Sequence, residues 1–239
     1  MPPSRYKTAC RCRRFFVWIK IIYDMKKLVV FDLDGTLLDT IGDLAAACDY
    51  VLGRHHLPTH TRDEYHSYVG NGVKKLIERT LPLDKRSEDF IEELRREFIE
   101  YYHSHIDVHT RPYDGINDLL GKLYAMGVKV AVLSNKYHDG TVKLIESFFP
   151  HTPFVEVRGQ MENIPIKPSP DALFSIMEHC GVKREETLYV GDTAVDIHTS
   201  HNAGVDVVAV SWGFRKAEDL AKESPTYIVN HPIEILDYL

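Results

Sequence analysis

In Leu28-Val29-Val30-Phe31-Asp32-Leu33-Asp34-Gly35-Thr36 an apolar, β-branched run ends abruptly in two carboxylates, a glycine and a hydroxyl. Such a run reads as a buried strand. Two carboxylates at its carboxyl end, two residues apart and so facing the same way, are costly to bury without a cation. The pattern points to a bound cation and to chemistry at the end of the strand. An ordinary turn that caps a helix is the alternative, since Asp-Gly is common turn vocabulary.

Two further segments repeat the grammar. Val128 to Leu133 runs into Ser134-Asn135-Lys136, and Thr187-Leu188-Tyr189-Val190 runs into Gly191-Asp192-Thr193, with Asp196 four residues after Asp192. Each is followed by a helical pattern. In open parallel sheets ligands collect at the carboxyl ends of the strands, so three polar endings far apart in sequence can converge on one site. Between the last two lies Ile166-Lys167-Pro168-Ser169-Pro170, a stiff loop that presents one lysine. Most lysines are solvated. This one is better fixed, because a proline follows it and a helix start lies at Ser169-Pro170.

The chain of 239 residues is long enough to bury a substantial core in one large domain or two small ones. Its formal net charge of -6 argues against a general nucleic-acid binder, which would carry a basic stripe. The 13 histidines are scattered. His55-His56, His103 with His105 and His198 with His201 fall in stretches that read as helix surface, and carboxylates suit a hard cation better than imidazole does. Cys10, Cys12, Cys48 and Cys180 show no zinc or CxxC spacing and no disulfide framework, so a reducing, cytoplasmic location is expected.

At the N-terminus, Arg11, Arg13 and Arg14 precede Phe15-Phe16-Val17-Trp18-Ile19, an arrangement shared with export signals. Lys20 interrupts the run, however, and no small-residue cleavage site follows. The run is also far shorter than the ~20 residues of a membrane span, so no stable membrane insertion is expected. Met25-Lys26-Lys27 leads straight into the first strand, and residues 1–24 read as an extension ahead of a natural start. A segment packed on the domain is the next reading.

After the first strand the apolar pattern turns helical. Ile41 to about His55, Arg62 to Val69, Val73 to Arg79 and Ser87 to about Ile106 all read as helix, with no strong strand between them. Strand and helix then alternate through Phe154 to Val157, Asp171 to His179, Leu188 to Val190, Asp196 to Ala203 and Val205 to Val210, with Ile228-Val229 as a possible last strand. The expected fold is therefore α/β, a Rossmann-like doubly wound parallel sheet. A helical insertion of roughly 70 residues reads as a second, smaller domain. Within it Tyr68-Val69-Gly70-Asn71-Gly72-Val73 sets two glycines about an asparagine at a helix start, where N–H groups favour an anion.

The chain resembles the haloacid-dehalogenase superfamily of phosphohydrolases through four motifs in order: Asp32-Leu33-Asp34-Gly35-Thr36, Ser134-Asn135, Lys167, and Gly191-Asp192-Thr193 with Asp196. The resemblance spans roughly Lys26 to the C-terminus. It implies an α/β core over residues 25–39 and 110–239 and a helical cap over 40–109, hinged near Thr40 and His109 to Arg111. It also implies a nucleophile at Asp32 and a general acid and base at Asp34. Mg²⁺ would be held by Asp32, the backbone carbonyl of Asp34 and Asp192, with Asp196 in the outer shell. The phosphoryl oxygens would rest on Ser134, Asn135 and Lys167. Tyr68 to Leu81, Arg111 to Gly115, Ser134-Asn135-Lys136 and Trp212-Gly213-Phe214 resemble the phosphoglycolate phosphatase branch, which would make Gly70, Asn71 and Gly72 the specificity loop and 2-phosphoglycolate, a small phosphorylated metabolite, the substrate. Arg158-Gly159-Gln160-Met161 departs from that branch, where Gly-Gly-Asp or Gly-Ser-Asp is frequent. Asp34 fits neither the dehalogenases, which have a tyrosine there, nor the phosphonatases, which have a small residue. A pyrophosphatase or β-phosphoglucomutase of the same superfamily is the alternative, and a noncatalytic phosphate-binding regulator a more distant one.

Overall fold

The computed structural model describes residues 25–239, so the reading of Met1–Asp24 lies outside them. In chain order, β1 (Leu28–Phe31) and the short β2 (Leu38–Asp39) lead into four helices: α1 (Ile41–Arg54), α2 (Arg62–Tyr68), α3 (Gly72–Thr80) and α4 (Glu88–Ser104). The chain returns through β3 (Arg111–Pro112). It continues as α5 (Ile116–Ala125), β4 (Lys129–Tyr137), α6 (His138–Phe148), β5 (Glu156–Gln160) and α7 (Asp171–Cys180). The last elements are β6 (Thr187–Gly191), α8 (Ala194–Ala203), β7 (Asp206–Val210), α9 (Ala217–Lys222) and β8 (Tyr227–Val229).

Six strands form one parallel sheet in the order β5-β4-β1-β6-β7-β8. β1 lies between β4 and β6, with Leu28 opposite both Lys129 and Thr187. Strand side chains alternate between faces. Val29, Phe31, Val132 and Val190 belong to one apolar core, and Leu28, Val30, Ala131 and Tyr189 to a second on the opposite face. A sheet covered on both faces explains why its strands read as continuous apolar runs. The chain adds β4 and β5 on one side of β1 and then crosses back to add β6, β7 and β8 on the other, so the crevice beyond the carboxyl end of β1 is the switch point of the fold.

Local chemistry sets the helix ends. Thr61 and Glu64 form a capping box at the start of α2, and Thr193 and Asp196 form another at the start of α8. The helical segment begins and ends at one buried carboxylate. Asp43, in the first turn of α1, accepts from the N–H groups of His109 (2.8 Å) and Thr110 (2.9 Å) and from the Thr110 hydroxyl (2.7 Å). The two connecting strands, β2 and β3, pair antiparallel beside it.

Three elements differ from expectation. β4 continues four residues past Leu133 to Tyr137, because Ser134, Asn135 and Lys136 each find buried polar partners and the chain stays extended. β5 takes up its ladder at Glu156 and runs to Gln160, while Phe154 packs against Phe149. The β2–β3 ribbon has two residues on each side and carries no periodic signal.

Candidate active site

The carboxyl ends of β1, β4 and β6 bring together Asp32, Ser134 and Asp192, and the loop before α7 places Lys167 beside them. All four are buried. Lys167 Nζ lies 2.9 Å from Asp32 Oδ1 and 2.7 Å from Asp196 Oδ1. Asp32 Oδ1 also accepts from Leu33 N at 2.7 Å, and Asp32 Oδ2 has no partner among the described residues. Burial pushes the Asp32 carboxyl up to about 7; Lys167 opposes that rise, and Asp196 and Asp34 add to it. Burial works against the Lys167 ammonium too, but Asp196 and Asp32 outweigh it and hold its affinity for the proton above the ordinary lysine value.

Asp192 is held well above the usual carboxylate range by burial first and then by Asp196 and Asp32. It accepts from Phe214 N at 2.7 Å and from Thr36 Oγ1 at 3.3 Å. Carboxylate oxygens of Asp32, Asp192 and Asp196 lie within 4.8 Å of one another. An all-oxygen donor set of this charge fits a hard divalent cation rather than a soft one. Asp196 is the most encumbered of the three. Its Oδ1 meets Lys167 and its Oδ2 accepts from Thr193 N (3.1 Å) and Thr193 Oγ1 (2.7 Å), so it steadies the lysine and the helix start. The turn after β1 needs its glycine: Gly35 has φ +85°, and a Cβ there would collide with the Asp192 carboxylate.

Asp34 lines the cleft beside Asp32. Its Oδ1 accepts from Thr40 Oγ1 (2.7 Å), at the start of the helical segment, and from Lys136 Nζ (2.9 Å). Ser134 Oγ accepts from Lys136 N at 3.3 Å, which leaves its hydroxyl proton to donate. The Asn135 side chain is engaged with the Lys167 peptide, accepting from its N–H at 2.9 Å and donating to its carbonyl at 3.1 Å. Asn135 therefore fixes the lysine loop in addition to bordering the cleft.

Across the cleft stands the turn before α3. Gly70 and Gly72 line it together with Asp32, Asp34 and Lys136. Both glycines have positive φ, at +112° and +80°. Asn71 turns away from the cleft, and its Oδ1 accepts from Arg79 Nη2 at 2.8 Å. The Asn135 amide reaches the Gly70 carbonyl at 3.4 Å, joining the turn to β4. The cavity enclosed between them measures about 40 Å³, a few water-sized spaces.

Two cations absent from the expected site emerge here. Lys136 belongs to the run Ser134-Asn135-Lys136 that resembles the phosphoglycolate phosphatase branch, but the resemblance gave it no role. Arg215 follows Trp212-Gly213-Phe214 and donates to the carbonyls of His66, Ser67 (3.4 Å) and Val69 (3.0 Å) at the end of α2. Elsewhere, His55, Glu93 and Glu97 form a second cluster within 4.8 Å, but Arg54 and His55 already pair with Glu97. Among the described residues no helix is long and apolar enough to cross a membrane.

Known proteins with this arrangement are numerous. Residues 29–210 match the model of the haloacid dehalogenase-like hydrolase family. A phosphoglycolate phosphatase of Pseudomonas syringae pv. tomato is 32% identical over 209 residues, which cover 86% of this chain and 77% of that one. An N-acetylmuramic acid 6-phosphate phosphatase of Pseudomonas aeruginosa is also 32% identical, over 89% of this chain and 94% of its own. The crystal structure of a predicted phosphoglycolate phosphatase from Haemophilus somnus superposes with a TM-score of 0.82 at 29% identity, covering 89% of this chain and 97% of that one. The chain thus belongs to the haloacid dehalogenase-like hydrolase family, as a phosphatase within it.

Proposed function

We propose that the protein hydrolyses a small phosphate monoester, 2-phosphoglycolate, to glycolate and phosphate through an aspartyl-phosphate on Asp32, with Mg²⁺ as cofactor. The observation that carries the reading is Asp32 itself. It is a buried carboxylate with one oxygen fixed by Lys167 and Leu33 N and the other without a partner among the described residues, beside a cavity that Asp34 also lines.

Asp32 Oδ2 attacks phosphorus, and the bond from phosphorus to the ester oxygen breaks as Asp34 gives that oxygen its proton. Asp34 then takes a proton from the water that attacks the aspartyl-phosphate, which releases phosphate and restores Asp32. Lys167 and the Ser134 hydroxyl hold the phosphoryl oxygens, with Asn135 keeping the lysine loop in place. Asp32, the Asp34 backbone carbonyl and Asp192 would hold Mg²⁺, with Asp196 behind them. When bound, the ion supplies positive charge between the phosphoryl oxygens and the nucleophile. The helical segment serves as the cap, and the turn at Gly70-Asn71-Gly72 sets what fits beneath it.

Relatives of equal identity carry the names of a two-carbon acid phosphate and of an amino-sugar phosphate. The 40 Å³ cavity favours the smaller one. The test is a hydrolysis panel of 2-phosphoglycolate, pyrophosphate, β-glucose 1-phosphate, N-acetylmuramic acid 6-phosphate and nucleotides, with Mg²⁺ and with excess chelator. The highest kcat/KM is expected on 2-phosphoglycolate, and chelation should abolish turnover. Full activity in chelator would overturn the cofactor, and a preference for any other compound would overturn the substrate.

A further inference from the structure

Lys136 is 5% exposed and lines the cavity with Asp32 and Asp34, yet the four motifs give it no part. An ammonium carries three N–H donors. Among the described residues Nζ meets one acceptor, Asp34 Oδ1 at 2.9 Å, and its only other close partner is the face of the Tyr102 ring, 4.7 Å away. Two donors on a buried ammonium therefore have no acceptor. Lys167, the other lysine of the site, is in the opposite condition, with carboxylates at 2.9 and 2.7 Å. Leu44, Val69, Val73 and Leu76 give the same cavity an apolar wall. Beside Lys136, the hydroxyl of fully buried Tyr102 has no partner among the described residues.

We infer that Lys136 selects the nonreacting end of the substrate by binding a carboxylate there, while Lys167 serves the phosphoryl group. The inference rests on the phosphatase reading above and names the class of leaving group: a short hydroxy acid. Such an anion would give the two unused donors their acceptor, and the apolar wall would enclose its carbon atoms. A buried ammonium discriminates strongly, because a neutral end leaves its donors unpaired and a cationic end is repelled.

The experiment compares wild type with Lys136→Met, which keeps length and bulk without the charge, and with Lys136→Arg. The substrates are 2-phosphoglycolate, 2-phospholactate, ethyl phosphate and phosphoethanolamine. Wild type should prefer the acid-ended esters to ethyl phosphate and disfavour phosphoethanolamine. In Lys136→Met the preference for acid ends over ethyl phosphate should fall on the order of 100-fold, mainly through KM, and the discrimination against phosphoethanolamine should vanish. Lys136→Arg should keep a preference for acid ends.

Because Lys136 also holds Asp34, some loss on every substrate is expected, so the ratio is the measure. An equal fall on all four esters would make Lys136 only a positioning residue for Asp34 and would overturn the inference. So would an unchanged ratio with full activity, or a wild type indifferent to the acid end. A wild type that prefers 2-phospholactate, with that preference lost in Lys136→Met, would overturn 2-phosphoglycolate as the substrate and leave Lys136 standing.

Discussion

At the scale of single residues, Asp32 carries both the proposed chemistry and a cost to the fold. Its carboxyl is raised from 3.8 to about 7, chiefly by burial, so without a metal the folded protein holds that proton more tightly than the unfolded chain does. The stability this provides is complete below the ordinary carboxylate value and is lost as pH rises through about 7. Asp32→Asn does not titrate. In chelator its melting temperature relative to wild type should climb between pH 5 and pH 8, by on the order of 5 °C. Excess Mg²⁺ should narrow the gap at pH 8, while turnover falls by roughly 10⁴-fold or more. A gap that ignores pH would contradict the assigned burial cost. Asp32, Asp34, Ser134 and Asp192 were legible in the sequence because each polar residue follows an apolar run, and Lys167 because prolines stiffen its loop before a helix start. The parts that Lys136 and Arg215 play were not. A lysine or arginine after a strand is solvated by default, and only contacts 102 and 146 to 149 residues away in the chain show otherwise.

At the scale of elements, the strands that end in site residues were readable, because a sheet buried on both faces writes itself as unbroken apolar runs. The edge strand β5 lies further along the chain than the apolar run Phe154 to Val157, because Arg158-Gly159-Gln160 carries no apolar signal and is held by its ladder to β4. That displacement matters for the turn before α3. A Cβ on Gly72 would lie 3.3 Å from Gln160 Oε1 and 3.4 Å from the Asn135 carbonyl, at a φ of +80°. Valine there meets backbone strain of about 1–3 kcal/mol as well as the contact. Gly72→Val should therefore lower kcat/KM for 2-phosphoglycolate at least tenfold, and that for p-nitrophenyl phosphate much less, since the larger ester asks less of a closed turn. Equal losses on both would place the damage in the fold. No loss on either would remove the turn from substrate selection.

At the scale of the whole molecule, one loop couples the acidic cluster to the helical segment proposed as the cap. Trp212 Nε1 donates to the Thr36 carbonyl at 3.0 Å, and Phe214 N donates to Asp192 at 2.7 Å. The next residue, Arg215, places its guanidinium against the last carbonyls of α2. The end of a helix leaves such carbonyls without partners and favours a cation beside them. Arg215 is thus a clamp between the sheet and the segment that carries Gly70 and Gly72, and it starts from a loop that also fixes a proposed metal ligand. Arg215→Ala removes the clamp and leaves the Phe214 N–H in place. The cap should then open more often, with faster amide exchange across Ser67 to Val73 and a several-fold rise in KM for 2-phosphoglycolate. Esters too large for the closed cavity should lose little. Arg215→Lys should recover only part of the effect, because a single ammonium does not match a planar fork of five donors across three carbonyls. Unchanged exchange in Arg215→Ala would show that the cap is held by its apolar contacts alone. Slower turnover of every ester alike would place the fault at Asp192 instead.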